Sequence, residues 1–336
     1  MSKRLTLTGT VAAVIAVASL AAIPIAGQAP PAAKTKAAAK SWTPRTTAWG
    51  DPDLQGTYTN KDESGIPFER PNEFAGKKID DVGDLELAEL IKDRAQQAAA
   101  RAPGIGGADT GAGPVHWYEN YDAKNSHPWL VVDPVDGKIP SLTPDAQKRI
   151  AATRPASSSF TGGPWNGPED FSLYDRCISR GLPGSMMPAI YGNSYQIVQG
   201  PGFVAIRYEM IHETRIVPLD GRPHLSSNIR TFMGDARGHF EGKTLVIETT
   251  NFNPRSAYRN ANSDKLRLIE HFMPSAPDKV EWSVTVDDPT TWTRPWTFAM
   301  NLTKDDSQGV FEYACHEGNY GMPNILRGAR AAESAR

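Results

Sequence analysis

From about residue 190 onward the sequence is a series of alternating apolar and polar runs separated only by turn residues, and this series constrains the fold more than any other feature. Residues 195–210 form two such runs around Gly200-Pro201-Gly202, and residues 239–250 form two more around Glu241-Gly242-Lys243-Thr244. Residues 266–273, 280–286, 292–303 and 310–316 continue the pattern. Strands in series without intervening helices make an antiparallel meander. A meander of this length has two exposed edges, which closure into a barrel removes. The expectation is a mainly β fold, an antiparallel β-barrel over residues 191–328.

Residues 49–190 read as an irregular, partly helical N-terminal region packed on that barrel. Residues 53–60 alternate as an opening strand, and residues 85–101 carry helix formers with apolar positions at 87, 90 and 91. Thr143 and Pro144 start a short helix over 143–150 as cap and first residue. Residues 102–115 form a Gly-rich loop of a kind that can act as a lid, and residues 329–336 are a tail. The 29 Gly and 27 Pro suit a turn-rich fold. Lys and Arg number 36 against 38 Asp and Glu, so no basic excess is present to neutralise a phosphate backbone, and nucleic acid is not an expected partner. With 39% hydrophobic residues the chain is no charge-extended disordered polymer.

Lys3 and Arg4 precede an apolar stretch over residues 11–25, and small residues follow up to Ala29. This is a secretory signal pattern, with 1–29 as the leader and cleavage near Ala29. The stretch falls short of the ~20 residues that span a bilayer, so no stable membrane insertion is expected after cleavage. Residues 30–48 are Ala-, Lys- and Pro-rich and read as a flexible tether. The chain is thus expected to be periplasmic or secreted, and its two cysteines, Cys177 and Cys315, to form a disulfide bond.

Strand alternation sorts side chains by face. Val204, Ile206, Tyr208, Met210, His212, Thr214 and Ile216 share one face, which places Tyr208 and His212 inward and Arg215 outward. The same count over 292–302 puts Trp292, Arg294, Trp296 and Phe298 together, carrying Arg294 inward with Asp287 or Asp288 as its structural alternative partner. In 310–316 the period turns His316 inward. An inward Arg needs a carboxylate or an anionic ligand, and an inward His is either a satisfied core residue or a proton-transfer group. None of the seven histidines lies at a His-x-His or His-x-x-x-His spacing, so no cofactor is expected, with a metal site assembled from distant strands, for instance His212, His316 and Glu312, as the alternative. No phosphate loop, dinucleotide fingerprint in a strand–helix context or Gly-x-Ser-x-Gly elbow is found.

The C-terminal half carries the motifs Asp175-Arg-Cys177, Gly181-Leu-Pro-Gly184, Pro218-Leu-Asp-Gly-Arg-Pro-His224, Gly234-Asp-Ala-Arg-Gly238, Glu241-Gly-Lys-Thr244, residues 286–296 (VDDPTTWTRPW) and Tyr313-Ala-Cys-His-Glu-Gly-Asn319. By these motifs it resembles a family of exported bacterial proteins without an assigned activity. At the level of fold the chain also resembles lipocalin-like barrels, with Gly56-Thr-Tyr58 where they carry Gly-x-Trp. A Cys177–Cys315 bridge would pin Arg176 beside His316 and Glu317, the sharpest constellation on offer.

The leading expectation is therefore an exported enzyme acting on a small, partly aromatic and anionic substrate by cofactor-free acid–base chemistry, as a lyase, isomerase or hydratase. His316 or His212 would move the proton with Glu317 alongside, Tyr208 would donate to an oxyanion, and Arg176 or Arg294 with Trp292 and Trp296 would hold the substrate. The alternatives are a non-catalytic lipocalin-like small-molecule binding protein and a metal-assisted hydrolase. Oligomeric state is left open.

Overall fold

The structure, a computed structural model, describes residues 42–335 apart from 64–65, 84, 91, 94–126, 154–162, 190 and 308. The leader expected over 1–29, most of the expected tether, the Gly-rich loop expected over 102–115 and much of the helix expected over 85–101 lie outside the described residues; of that helix, residues 85–90 and 92–93 are described and helical.

Two meanders are joined through a strand from the N-terminal region. The first comprises β3 (Ser194–Gly200), β4 (Phe203–Tyr208) and β5 (Thr214–Pro218). The second runs through β6 (Asp235–Glu241), β7 (Thr244–Thr250), β8 (Arg267–Ala276), β9 (Lys279–Asp287) and β10 (Trp296–Lys304). Between them sits β1 (Gly56–Thr59), with Tyr58 opposite Tyr195 of β3 on one side and Lys304 of β10 on the other. The order is β5-β4-β3-β1-β10-β9-β8-β7-β6, with the short β2 (Val131–Asp133) also paired to β10, all antiparallel. The N-terminal region therefore builds part of the barrel wall as well as packing on it. Residues 42–48, read as tether, also join the fold at one rim, where Pro44 is buried.

The sheet curls into a nearly closed barrel. Its two ends, β5 and β6, share no ladder but meet through side chains at Gly238, where an added Cβ would stand 2.8 Å from both Val217 and Leu219. A side chain there would push the two edges apart. The interior is filled: Trp282 lies edge-on to Phe298 at 5.6 Å and near Phe272 at 6.3 Å, amid buried Val284, Met300 and Ile247. Apolar burial on this scale, at roughly 25 cal/mol per Å², is the main force holding the barrel.

One turn changes the inside–outside phase. Between β4 and β5 the chain makes a 3₁₀ turn over Met210–His212 in which Ile211 and His212 take left-handed backbone angles, φ 64° and 49°. Side-chain alternation restarts after it, so Arg215 and Val217 point inward while Ile216 faces solvent. This corrects two expectations at once: His212 is exposed, and Arg215 is buried. Inside the barrel the Arg215 guanidinium forks onto Glu270 of β8, and Trp282 donates to the same carboxylate at 3.2 Å.

Two further expectations are corrected. Strand β10 begins only at Trp296, because residues 288–292 form a turn around Asp288, whose buried carboxylate accepts from the backbone N–H groups of Thr290, Thr291 and Asn262. Arg294 is consequently outside, 53% exposed, where its Nη2 donates to both Asp133 carboxylate oxygens at 2.9 and 3.0 Å; the partner is neither Asp287 nor Asp288. Residues 310–316 form no strand. After β10 the chain turns away as Thr57 N–H binds Asp306 and Asp305 N–H binds Thr57, so the segment has no ladder to join. His316 and Glu317 are exposed there. The helices are peripheral. In α1 (Pro144–Ala152) Thr143 caps Ala146 N–H at 3.1 Å as the sequence predicts, and α2 (Gly321–Ser334) ends the chain.

Candidate functional site

Cys177 and Cys315 are joined, with Cα atoms 5.8 Å apart across 138 residues of chain. The bridge anchors the turn-rich segment 168–187 against the C-terminal segment. Gly181 has φ 63°, and an added Cβ would lie 3.3 Å from the Ser256 carbonyl, so glycine lets this segment press close to residues 254–260. The two segments enclose a cleft of about 420 Å³ lined by Tyr174, Ser179, Arg180, Arg255, Tyr258 and Arg259, among others.

Three arginines meet here, and among the described residues two of them have no carboxylate partner. Arg180, half-buried, places its guanidinium 5.5 Å from the centre of the Tyr174 ring. Arg259 stands 4.3 Å over the Phe68 ring and 5.5 Å from that of Tyr258, whose hydroxyl accepts from its Nε at 3.1 Å. Among the described residues neither has an acidic partner. Arg259 holds a left-handed backbone, φ 49° and ψ 40°, followed by Asn260 at φ 60°. For a residue with a Cβ that conformation costs about 1–2 kcal/mol, so the surrounding contacts impose it.

The aromatic floor explains why Arg259 is aimed so. Trp296 lies under both flanking rings, 5.9 Å from Phe68 and 6.3 Å from Tyr258, and Trp292 packs edge-on to it at 5.6 Å. The two indoles expected beside a guanidinium are thus present, both buried, but they support the rings around Arg259 and not Arg294. Burial raises the Tyr258 hydroxyl above its ordinary range despite the opposing pull of Arg259, and burial likewise raises Tyr174. Both phenols therefore stay neutral donors at ordinary pH.

Arg255, the third arginine, is shared. It donates to the Glu169 carboxylate at 3.1 Å, and Arg176 forks onto the same carboxylate at 2.7 and 3.3 Å. The hydrogen bond from Arg255, then the charge of Arg176, holds Glu169 below the usual carboxylate range. On the far side of Arg255 a second cleft of about 480 Å³ opens, lined by Glu169, Phe171, Pro254 and Asn260.

The remaining predicted residues do not converge. Tyr208 is buried in the barrel, its hydroxyl without a hydrogen bond of good geometry, while His212 sits outside with Nδ1 3.0 Å from the Tyr313 carbonyl oxygen. His316 and Glu317 follow the disulfide on the exposed C-terminal segment, and Arg176 is committed to Glu169. Sequence reasoning missed Arg180, Arg255, Arg259 and Tyr258. Arg180 does lie between two of the motifs quoted above, but residues 253–260 form turns, to which strand periodicity is blind. Glu270 was missed too, although the alternation Leu268, Glu270, Phe272 is the signal that turns it inward.

Among the described residues no three His, Cys, Asp or Glu side chains are grouped to hold a metal ion, and no helix there is long and apolar enough to cross a membrane. No family model and no curated protein matches the chain. Among solved structures, a secretary abundant heat soluble protein from Ramazzottius varieornatus matches with 13% identity over 40% of this chain and 87% of that one, at a TM-score of 0.25.

Proposed function

We propose that the protein binds a small, partly aromatic anion in the cleft between residues 172–184 and 255–259. The observation that carries this reading is the pair Arg180 and Arg259, two guanidiniums without carboxylate partners among the described residues, each held on an aromatic face in one cleft. A stacked guanidinium keeps its edge N–H groups free for a carboxylate, and its fixed plane suits two-point recognition. The neighbouring Tyr174 and Tyr258 add ring faces for an aromatic ligand. The test is calorimetric titration with benzoate, cyclohexanecarboxylate and inorganic phosphate. Benzoate should bind best, and Arg180→Ala and Arg259→Ala should each weaken it at least tenfold. Equal binding by wild type and both variants would overturn the reading.

The enzyme reading has one observation in its favour, and it moves the proton-transfer role away from the histidines. Glu213, half-buried, has its carboxyl pushed up by burial and accepts from Ser179 Oγ at 2.9 Å, and Ser179 lines the cleft. A carboxyl with raised affinity for its proton can serve as a general acid. On this reading Glu213→Gln abolishes turnover of a bound aromatic acid without abolishing binding. Export to the periplasm or the medium fits the Cys177–Cys315 bridge, since structural disulfides persist in oxidising compartments.

A further inference from the structure

Resting on the binding reading above, we propose that Glu169 is a resident competitor for the ligand's carboxylate and sets how tightly the cleft takes it. Glu169 occupies a guanidinium that belongs to the ligand cleft: Arg255 lines both clefts and presents Nη1 to the Glu169 carboxylate at 3.1 Å and Nη2 to the Glu169 backbone carbonyl at 3.2 Å. Glu169 does not depend on Arg255, because Arg176 alone meets both of its carboxylate oxygens. The two arginines also differ in exposure. The Arg176 side chain is 17% exposed, whereas Arg255 is 44% and Glu169 72% exposed. The Arg255–Glu169 contact is a solvent-screened pair that breaks cheaply, and the Arg176–Glu169 fork is the one that stays.

An anion entering beside Arg180 and Arg259 therefore draws Arg255 off Glu169 and leaves Glu169 on Arg176. The ligand class follows from what displaces one carboxylate on Arg255: a monocarboxylate whose ring lies against the tyrosines. Glu169 holds back weak anions that lack the ring, because these gain only the charge term and must still compete for the guanidinium.

The experiment is titration of the full chain with benzoate, comparing wild type, Glu169→Gln, Arg255→Gln and the double variant. Glu169→Gln keeps the side-chain shape and removes the competing charge, and it should tighten benzoate about two- to fivefold. That gain should vanish in the Arg255→Gln background, since the competition acts through Arg255. An unchanged or weaker affinity in Glu169→Gln overturns the proposal, and so does a gain that persists without Arg255, which would be a general loss of negative charge. Failure of wild type and Glu169→Gln alike to bind benzoate would instead remove the binding reading itself.

Discussion

Arg215 and Glu270 meet inside the barrel from strands near its opposite ends, β5 and β8, and close a two-pronged ion pair in a space from which both are almost fully shielded. Around it lie Trp282, which donates to Glu270, and Tyr208, whose protonation equilibrium feels both charges. The pair crosses the packed interior from β5 to β8, two strands that share no backbone ladder. It helps hold the first meander against the second.

Breaking that pair one side at a time should be costly. Arg215→Met or Glu270→Leu alone leaves a buried charge unpaired and should lose about 3–5 kcal/mol. The double variant Arg215→Met/Glu270→Leu should recover most of it, short of the full amount because Trp282 Nε1 loses its acceptor. Denaturant unfolding of the four proteins measures this. Additive losses would show that the two side chains act independently.

Gly238 should tolerate no branched side chain. Gly238→Val drives into Val217 and Leu219 at the seam between β5 and β6 and should cost about 1–3 kcal/mol, with Gly238→Ala costing less. A valine variant with an unchanged unfolding midpoint would mean that the seam is looser than its geometry indicates.

The left-handed backbone at Arg259 separates stability from binding. Arg259→Ala and Arg259→Gly both remove the guanidinium and should lose benzoate equally. Glycine accepts φ 49° without penalty, so Arg259→Gly should be about 1 kcal/mol more stable than Arg259→Ala. Thermal unfolding of the two variants side by side provides the comparison, and the reverse order of stability would refute the strain argument.

Stability should fall steeply in alkali. Burial raises the hydroxyls of Tyr58 and Tyr208 far above the ordinary phenol value of 10.0, with Asp306 adding to the effect at Tyr58. In the unfolded chain both phenols lose their protons above that value, and in the folded chain they do not. The unfolded state then holds fewer protons, so stability is complete below pH 10 and declines as pH rises beyond it, by about 1.4 kcal/mol per pH unit for each phenol. Tyr208→Phe should remove one phenol's share of the decline, about 1.4 kcal/mol per pH unit; an identical slope would assign the loss to other groups.

What the residues determined alone was the class of fold and most of its local parts. Hairpin turns at Gly200-Pro201-Gly202 and Glu241–Thr244, the cap at Thr143 and the inward face of β4 are set by neighbouring side chains and backbone preferences, so they were legible, and so was Tyr208 on that face. Tertiary structure decided what local pattern does not encode. Two left-handed residues at Ile211 and His212 reversed the phase of β5, exchanging His212 for Arg215 in the interior. The turn around Asp288 delayed β10 and turned Arg294 out to Asp133, far away in sequence. The candidate site depends on the same kind of distant meeting. Arg180, Arg255 and Arg259 come from turns about 80 residues apart, brought together by the close approach at Gly181 and the indole of Trp296 beneath Phe68 and Tyr258. Periodicity reports which face of an element is buried; it carries no record of which distant loop will cover it, because that depends on packing that forms only when the barrel is assembled.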